Sequence, residues 1–128
     1  MELIEKMKSE AEQILENSYA PYSSFHVGAT LLTEDNSLFS GVNVENMSYG
    51  LSVCAERVAL FSAISAGKRN FRALAVVSDG CGKLLPCGAC LQVLAEFEKD
   101  LLIYTRSADT TFRQFALTEL LPHTFTFK

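Results

Sequence analysis

Two segments decide how this chain folds: Cys54-Ala55-Glu56-Arg57 and, further along, Pro86-Cys87-Gly88-Ala89-Cys90. Together they supply three cysteines and one nearby glutamate. Three thiolates can bind zinc and leave its fourth coordination position open, whereas a structural zinc site normally uses four protein ligands. Such an ion lowers the pKa of bound water to about 7, and a carboxylate beside it can transfer protons. The pattern therefore predicts a catalytic zinc site, with Glu56 as acid and base and three ligands: Cys54, Cys87 and Cys90.

Size and composition limit what else the chain can contain. With 128 residues, 48% of them hydrophobic, residues 1–128 are expected to form a single domain with one core and one active site. The N-terminus is charged from its second residue and lacks a signal-peptide pattern, and no apolar run is long enough to span a bilayer. These features predict a cytoplasmic protein without a membrane partner.

Cysteine usage and charge point to a small-molecule substrate and a metal. Four cysteines without a secretion signal are expected to stay reduced, which favours metal binding over disulfides. The net charge is −4, with acidic and basic residues scattered along the chain. Because binding to nucleic acid needs clustered lysine and arginine, this charge distribution argues against a nucleic-acid partner.

Hydrophobic periodicity and turn residues predict the order of the secondary structure. Helices are expected over 2–17, 54–67, 87–97 and 118–121, and strands over 27–32, 38–44, 73–78 and 101–105. The first two strands form a hairpin through the turn at 34–37, and residues 19–25 form an ordered loop. This order predicts an α/β fold, a three-layer helix-sheet-helix sandwich.

Each candidate residue also has a plainer interpretation. A lone Cys-x-x-Cys can be a redox pair or two core cysteines, and it is the added Cys-Ala-Glu triplet that favours zinc. Cys81 lies outside the pattern and is interpreted as a spare thiol in a loop. His26 is an alternative third ligand, but we place it inside a strand, either as a structural residue or as a residue that contacts a metal ligand. Arg57 either donates hydrogen bonds to the sulfurs or is a surface arginine paired with a glutamate.

Five segments resemble the small, homotetrameric, zinc-dependent cytidine deaminases of the cytidine and deoxycytidylate deaminase superfamily, and the resemblance covers nearly the whole chain. They are residues 19–25 (YAPYSSF), 41–46 (GVNVEN), 54–57 (CAER), 86–90 (PCGAC) and 119–122 (ELLP). Deaminases of deoxycytidylate, tRNA adenosine or polynucleotide cytidine are similar in the second cysteine pair but carry His in place of Cys54. Blasticidin deaminases share the three cysteines, yet Asn43 and Glu45 favour a ribosyl substrate.

The resemblance implies a fold and a set of site residues. It implies a mixed sheet of about five strands, Zn²⁺ as cofactor and a homotetramer whose pockets are completed across subunits. Phe25 is expected to pack against the pyrimidine, and Asn43 and Glu45 to hydrogen-bond the ribose. Further roles follow for the backbone at Ala55 beside the base, Arg57 beside the sulfurs, and Tyr49 and Phe125 in a neighbouring subunit's pocket.

The implied activity is hydrolytic deamination of cytidine and deoxycytidine to uridine and deoxyuridine by zinc-bound hydroxide, in pyrimidine salvage. A negative Glu45 in the sugar pocket would repel a phosphate and so exclude nucleotides and nucleic acid. The alternatives are a deaminase of a related cytosine nucleoside, such as a blasticidin-type or modified base, and a noncatalytic zinc-binding or redox protein. Glu56 separates the last alternative from the others, because a structural zinc site has no use for it.

Leu91 is the position where the chain departs from the family it resembles, whose members often carry arginine after the last cysteine. One interpretation is that Leu91 extends the apolar face of the third helix. The other is electrostatic: with one cation fewer beside three thiolates, Arg57 alone offsets their charge, and Leu91→Arg should rescue an Arg57→Ala variant.

Overall fold

The computed structural model describes residues 2–127, and these contain one mixed sheet of five strands. The strands are β1 (Val27–Thr33), β2 (Leu38–Val42), β3 (Phe71–Ser78), β4 (Leu102–Arg106) and β5 (Arg113–Ala116). Their order across the sheet is β2-β1-β3-β4-β5. Only the central pair β3 and β4 is parallel, and the other neighbours run antiparallel. The mixed sheet of about five strands is therefore confirmed.

Helices cover both faces of this sheet within residues 2–127. They are α1 (Leu3–Ile14), α2 (Ala55–Ser65), α3 (Gly88–Ala95) and α4 (Leu117–Leu120), with short 3₁₀ turns at Leu15–Asn17 and Tyr49–Leu51. Met7 and Ala11 of α1 pack on one face of the sheet, in a cluster that includes alternate residues of β3. Helices α2, α3 and α4 pack on the other face, in a larger cluster. The three-layer helix-sheet-helix sandwich is confirmed.

Two glycines let helices lie directly against the strands. A side chain at Gly41 in β2 would place its Cβ 2.5 Å from the Ala59 nitrogen of α2. A side chain at Gly28 in β1 would come within 2.5 Å of the Ala11 carbonyl oxygen of α1, on the opposite face. Real Cβ atoms do not approach other atoms so closely, so both helix positions depend on glycine.

The topology brings several loops to one end of the sheet. Because β1 is antiparallel to both neighbours, its first residues lie beside the last residues of β2 and β3, as in the pairs Gly28–Val42 and Val27–Ser78. The loop after β2 leads into α2 at Cys54, and the loop after β3 leads into α3 at Cys87. Both cysteine segments therefore begin their helices at the same end of the molecule.

Some boundaries differ from the sequence predictions. Strand β5 was not predicted, because at this sheet edge two of its four residues are exposed and the apolar alternation is weak. His26 was expected inside a strand, but β1 begins at Val27, and β2 ends at Val42 instead of Val44. The first helix ends at Ile14 and continues only as a 3₁₀ turn. Within residues 2–127 no helix is long and apolar enough to cross a membrane.

Candidate metal centre and active site

The start of α2 positions one cysteine and two charged side chains. Cys54 is the residue that precedes the helix in extended conformation, and its carbonyl oxygen accepts hydrogen bonds from the backbone N–H groups of Arg57 and Val58, each at 3.1 Å. Glu56 lies in the first turn. The helix N-terminus carries a partial positive charge, which favours a thiolate at Cys54.

The start of α3 holds the other two cysteines in the same manner. Cys87 precedes the helix, and its sulfur accepts a hydrogen bond from the backbone N–H of Cys90 at 3.4 Å. Cys87 is exposed and Cys90 is buried. The spacing of three residues places both sulfurs on one side of the first turn, as the sequence predicted.

The three sulfurs form one cluster, in which all ligand atoms lie within 4.8 Å of one another. The Cys54 and Cys87 sulfurs are 3.9 Å apart, and the Cys87 and Cys90 sulfurs are 3.5 Å apart. A tetrahedral zinc ion with Zn–S bonds of about 2.3 Å needs sulfurs roughly 3.8 Å apart. The cluster fits zinc, and three protein ligands leave a position for water.

Arg57 supplies positive charge to this cluster. Its Nη2 donates to the Cys54 sulfur at 3.5 Å, and its guanidinium is partly buried. Hydrogen bonds from Cys90 and then from Arg57 lower the pKa of the Cys54 thiol to about 5. The same hydrogen bond between the Cys90 and Cys54 side chains, together with burial, raises the pKa of the Cys90 thiol. Arg57 therefore contacts the Cys54 sulfur, as the first of its two interpretations predicts.

Glu56 is the only charged side chain that is buried within residues 2–127, with 5% of its surface exposed. Burial raises the pKa of this carboxyl to about 7, and the nearby Cys54 thiolate adds to the effect. A buried carboxyl that changes its protonation state near neutral pH is suited to proton transfer.

A second group of predicted residues forms a rim at the same end of the sheet. Asn43 donates from Nδ2 to the Phe25 carbonyl at 2.8 Å, and its Oδ1 accepts from the Val27 N–H at 2.9 Å and from the Ser18 hydroxyl. The Glu45 carboxylate accepts from two backbone N–H groups, those of Tyr22 and Ser23, each at 3.1 Å.

Glu45 also accepts a hydrogen bond from the Ser23 hydroxyl, and this bond keeps the pKa of Glu45 below its usual range. Asn43 and Glu45 thus fasten the loop that carries Phe25. Sequence reasoning missed these loop contacts, because their partners are mostly backbone groups.

The remaining predicted contacts are not all brought together. Tyr49 is exposed, and its ring lies edge-on to that of Tyr22, with 6.1 Å between centroids, in a cleft that also includes Glu45. Phe125 is 72% exposed and lies elsewhere, in a cleft beside α3. Its backbone N–H and carbonyl are both bonded to the side-chain amide of Gln92, at 3.0 and 3.2 Å. Ala55 is buried as the first residue of α2.

Residues 1–105 match the family model described as the cytidine and deoxycytidylate deaminase zinc-binding region. This chain belongs to that family. The matched region contains all three clustered cysteines, and zinc is the cofactor of this deaminase-family chain.

Named relatives of the deaminase family agree over nearly full length. The chain is 44% identical over 123 residues to a cytidine deaminase of Sporosarcina psychrophila, covering 95% of this chain and 90% of the relative. It is 48% identical over 118 residues to one from Halalkalibacterium halodurans, with coverage of 91% and 89%. A crystal structure of cytidine deaminase from Burkholderia pseudomallei is similar with a TM-score of 0.90 at 45% identity, covering 94% of this chain and 98% of that chain.

Three further residues of this deaminase-family chain have definite positions. His26 lies outside the sulfur cluster and bonds to Asp79. Cys81 is an exposed loop residue, also outside the cluster. Leu91 is 5% exposed and belongs to the core cluster beneath α2 and α3. This position agrees with the interpretation that Leu91, which stands where relatives often carry arginine, extends the apolar face of α3.

Proposed function

We propose that this chain deaminates cytidine and deoxycytidine hydrolytically, giving uridine and deoxyuridine with release of ammonia. The observation that carries the proposal is the position of Glu56, a buried carboxyl in the first turn of α2 that interacts electrostatically with Cys54 and Cys90 of the sulfur cluster. A site that only held zinc would gain nothing from burying a carboxylate next to thiolates, since like charges raise its energy.

The chemistry divides between the metal and the protein. Zinc, when bound, supplies a Lewis acid that makes water a nucleophile near neutral pH. Glu56 accepts a proton from the attacking water and places it on the N3 atom of the pyrimidine while oxygen bonds to C4. It then transfers the second proton to the amino group, which leaves as ammonia when its bond to C4 breaks. Arg57 offsets the negative charge of the sulfurs throughout.

Hydrogen-bonding capacity supports Asn43 and Glu45 as ribose contacts. With one Nδ2–H donated to Phe25 and both lone pairs of Oδ1 in use, Asn43 keeps one N–H to donate. Glu45 keeps one free lone pair on Oε2, the oxygen that accepts from the Ser23 hydroxyl. One donor and one acceptor suit a sugar hydroxyl, which can both accept and donate.

The charge of Glu45 supports a nucleoside over a nucleotide. The carboxylate lies at the exposed rim, and its pKa is held below the usual range, so it is ionised at neutral pH. A phosphate near this carboxylate would be repelled. Phe25 is 44% exposed and would offer its free ring face to the pyrimidine.

Ultraviolet absorbance tests the activity directly, since cytidine and uridine absorb differently. Purified protein with one zinc per chain should deaminate cytidine and deoxycytidine and leave their 5′-phosphates unchanged. Turnover of blasticidin or a modified cytosine nucleoside in preference to cytidine would favour the related-nucleoside alternative. A zinc-loaded protein that deaminates none of these substrates would be a noncatalytic zinc-binding protein, and efficient turnover of the 5′-phosphates would refute the role of Glu45.

We also propose that residues 1–128 act as one domain of a homotetramer in the cytoplasm, in pyrimidine salvage, without a nucleic-acid or membrane partner. Among the exposed large apolar side chains, two groups follow one another closely in sequence: Met47, Tyr49 and Leu51 form one, and Phe125 and Phe127 form the other. Exposed apolar groups of this kind are typical of interaction surfaces. Sedimentation equilibrium should give four times the chain mass, and a monomer would contradict the shared pocket.

A further inference from the structure

The ring of Phe25 lies on the backbone of Gly80. A Cβ atom built on Gly80 would be 2.5 Å from Cε1 and 2.9 Å from Cδ1 of that ring. No side chain fits between them at such distances, so the ring contacts the Gly80 backbone directly. Because Phe25 remains 44% exposed, the ring is supported on one side and open to solvent elsewhere.

Next to this contact, His26 and Asp79 join the same two segments through three hydrogen bonds. The His26 N–H donates to Asp79 Oδ1 at 2.9 Å, and His26 Nδ1 lies 2.6 Å from Asp79 Oδ2. The Asp79 N–H donates to the His26 carbonyl oxygen at 3.2 Å. The last bond extends the pairing of β1 with β3 by one residue beyond the Val27–Ser78 pair.

Gly80 itself is fixed on both sides. Its N–H donates to the hydroxyl of the buried Ser78 at 3.0 Å, and its carbonyl oxygen accepts from the Ala108 N–H at 2.8 Å. When a Cβ is added at position 80, the backbone there is therefore held and the Phe25 ring is the group that must move.

We propose that Gly80 and Asp79 are positioning residues for Phe25: Gly80 supports its ring, and Asp79 holds the adjoining backbone through His26. This inference rests on the proposed function, in which Phe25 packs against the pyrimidine. Neither residue touches the substrate. Both act by fixing the plane that the base meets, and so they set how tightly a pyrimidine binds.

A double-mutant cycle on cytidine deamination tests the role of Gly80. Gly80→Ala should raise KM about tenfold and change kcat little, because a displaced ring stacks less well on the base in the ground state and in the transition state alike. In a Phe25→Ala background the same substitution should have no further effect, since the new methyl group then meets no ring.

Asp79 is tested by comparing removal with conservative replacement. Asp79→Ala should raise KM severalfold, whereas Asp79→Asn keeps an oxygen acceptor for the His26 N–H and should restore most of the affinity. Neither change should matter in the Phe25→Ala background. Asp35→Asn is the control, because Asp35 also forms an exposed ion pair, with Lys68, near the hairpin turn.

The outcomes separate this inference from the proposed function. If the unmodified protein deaminates no cytosine nucleoside, the proposed function fails. If it does, and Gly80→Ala leaves KM unchanged or costs as much with Phe25 as without it, the positioning role is wrong. A crystal structure of the Gly80→Ala protein should show the Phe25 ring displaced, and an unmoved ring would also overturn the inference.

Discussion

The sulfur cluster and the rim that carries Phe25 lie at the same end of the sheet, yet they are held in different ways. Each sulfur is placed by the first turn of a helix, and the helices are fixed by packing on the sheet. The rim is held by side-chain bonds between loops, chiefly those of Asn43, Glu45 and Asp79. We therefore expect substitutions in the cluster to abolish nearly all zinc binding or activity. Substitutions in the rim should cause graded losses of substrate binding.

The largest effect is expected for Cys87→Ala. Two remaining thiolates bind zinc weakly, and metal binding contributes to folding, so the variant should lose zinc, activity and thermal stability together. Zinc content and the melting temperature are the measurements. Cys81→Ala is the control and should retain all three properties, because Cys81 is exposed and outside the cluster. A fully loaded, active Cys87→Ala protein would instead point to Cys81 or His26 as a ligand.

The next largest effect is expected for Glu56→Gln. Glutamine fits the buried space but cannot move protons, so kcat should fall about 10²–10⁴-fold while zinc content and assembly stay nearly unchanged. Steady-state kinetics and metal analysis on the same sample measure both. Near-normal turnover would disprove the proton-transfer role and with it the proposed mechanism.

A smaller, graded loss is expected for Asn43→Ala, and it can separate two roles of one side chain. Removing the bonds to Phe25 and Val27 should weaken binding of cytidine about 10–100-fold, since two hydrogen bonds together are worth about 1–3 kcal/mol. Part of this loss should persist with 2′,3′-dideoxycytidine, which lacks the 2′ and 3′ hydroxyls of the sugar, because the loop itself is loosened. The exposed Asn70→Ala serves as control. If the Asn43→Ala variant binds the dideoxy substrate as tightly as the unmodified protein does, Asn43 acts only on the sugar hydroxyls.

The smallest effect on activity, a loss of about tenfold, is expected for Arg57→Ala. This substitution removes the hydrogen bond that the guanidinium donates to the Cys54 sulfur. Because Leu91 is buried in the core, Leu91→Arg should lower the melting temperature and fail to rescue the Arg57→Ala variant. Leu91→Met, which keeps size and polarity, should be close to neutral. A measurable rescue of zinc retention by Leu91→Arg would restore the electrostatic interpretation of this position.

This contrast also explains what the sequence could predict. The three cysteines and Glu56 follow from spacing within two helix turns, which local geometry fixes. The rim depends on partners far apart in sequence: Asn43 with the Phe25 carbonyl, Glu45 with the Tyr22 N–H, and Asp79 with the His26 N–H. Neither composition nor periodicity records such pairs, because each of these bonds joins a side chain to a distant backbone atom. Strand β5 was missed for a related reason, since an edge strand needs little apolar alternation.

The glycine contact between β2 and α2 affects which substitutions this protein can accept during evolution. At Gly41 the helix meets strand backbone and not a side chain, so its height above the sheet is set by atoms that substitution does not alter. The apolar layer around Leu60, Leu74 and Ile103 can therefore exchange side chains of similar volume while Cys54 and Glu56 keep their places. Sequence drift in the core and preservation of the metal geometry are in this way largely independent.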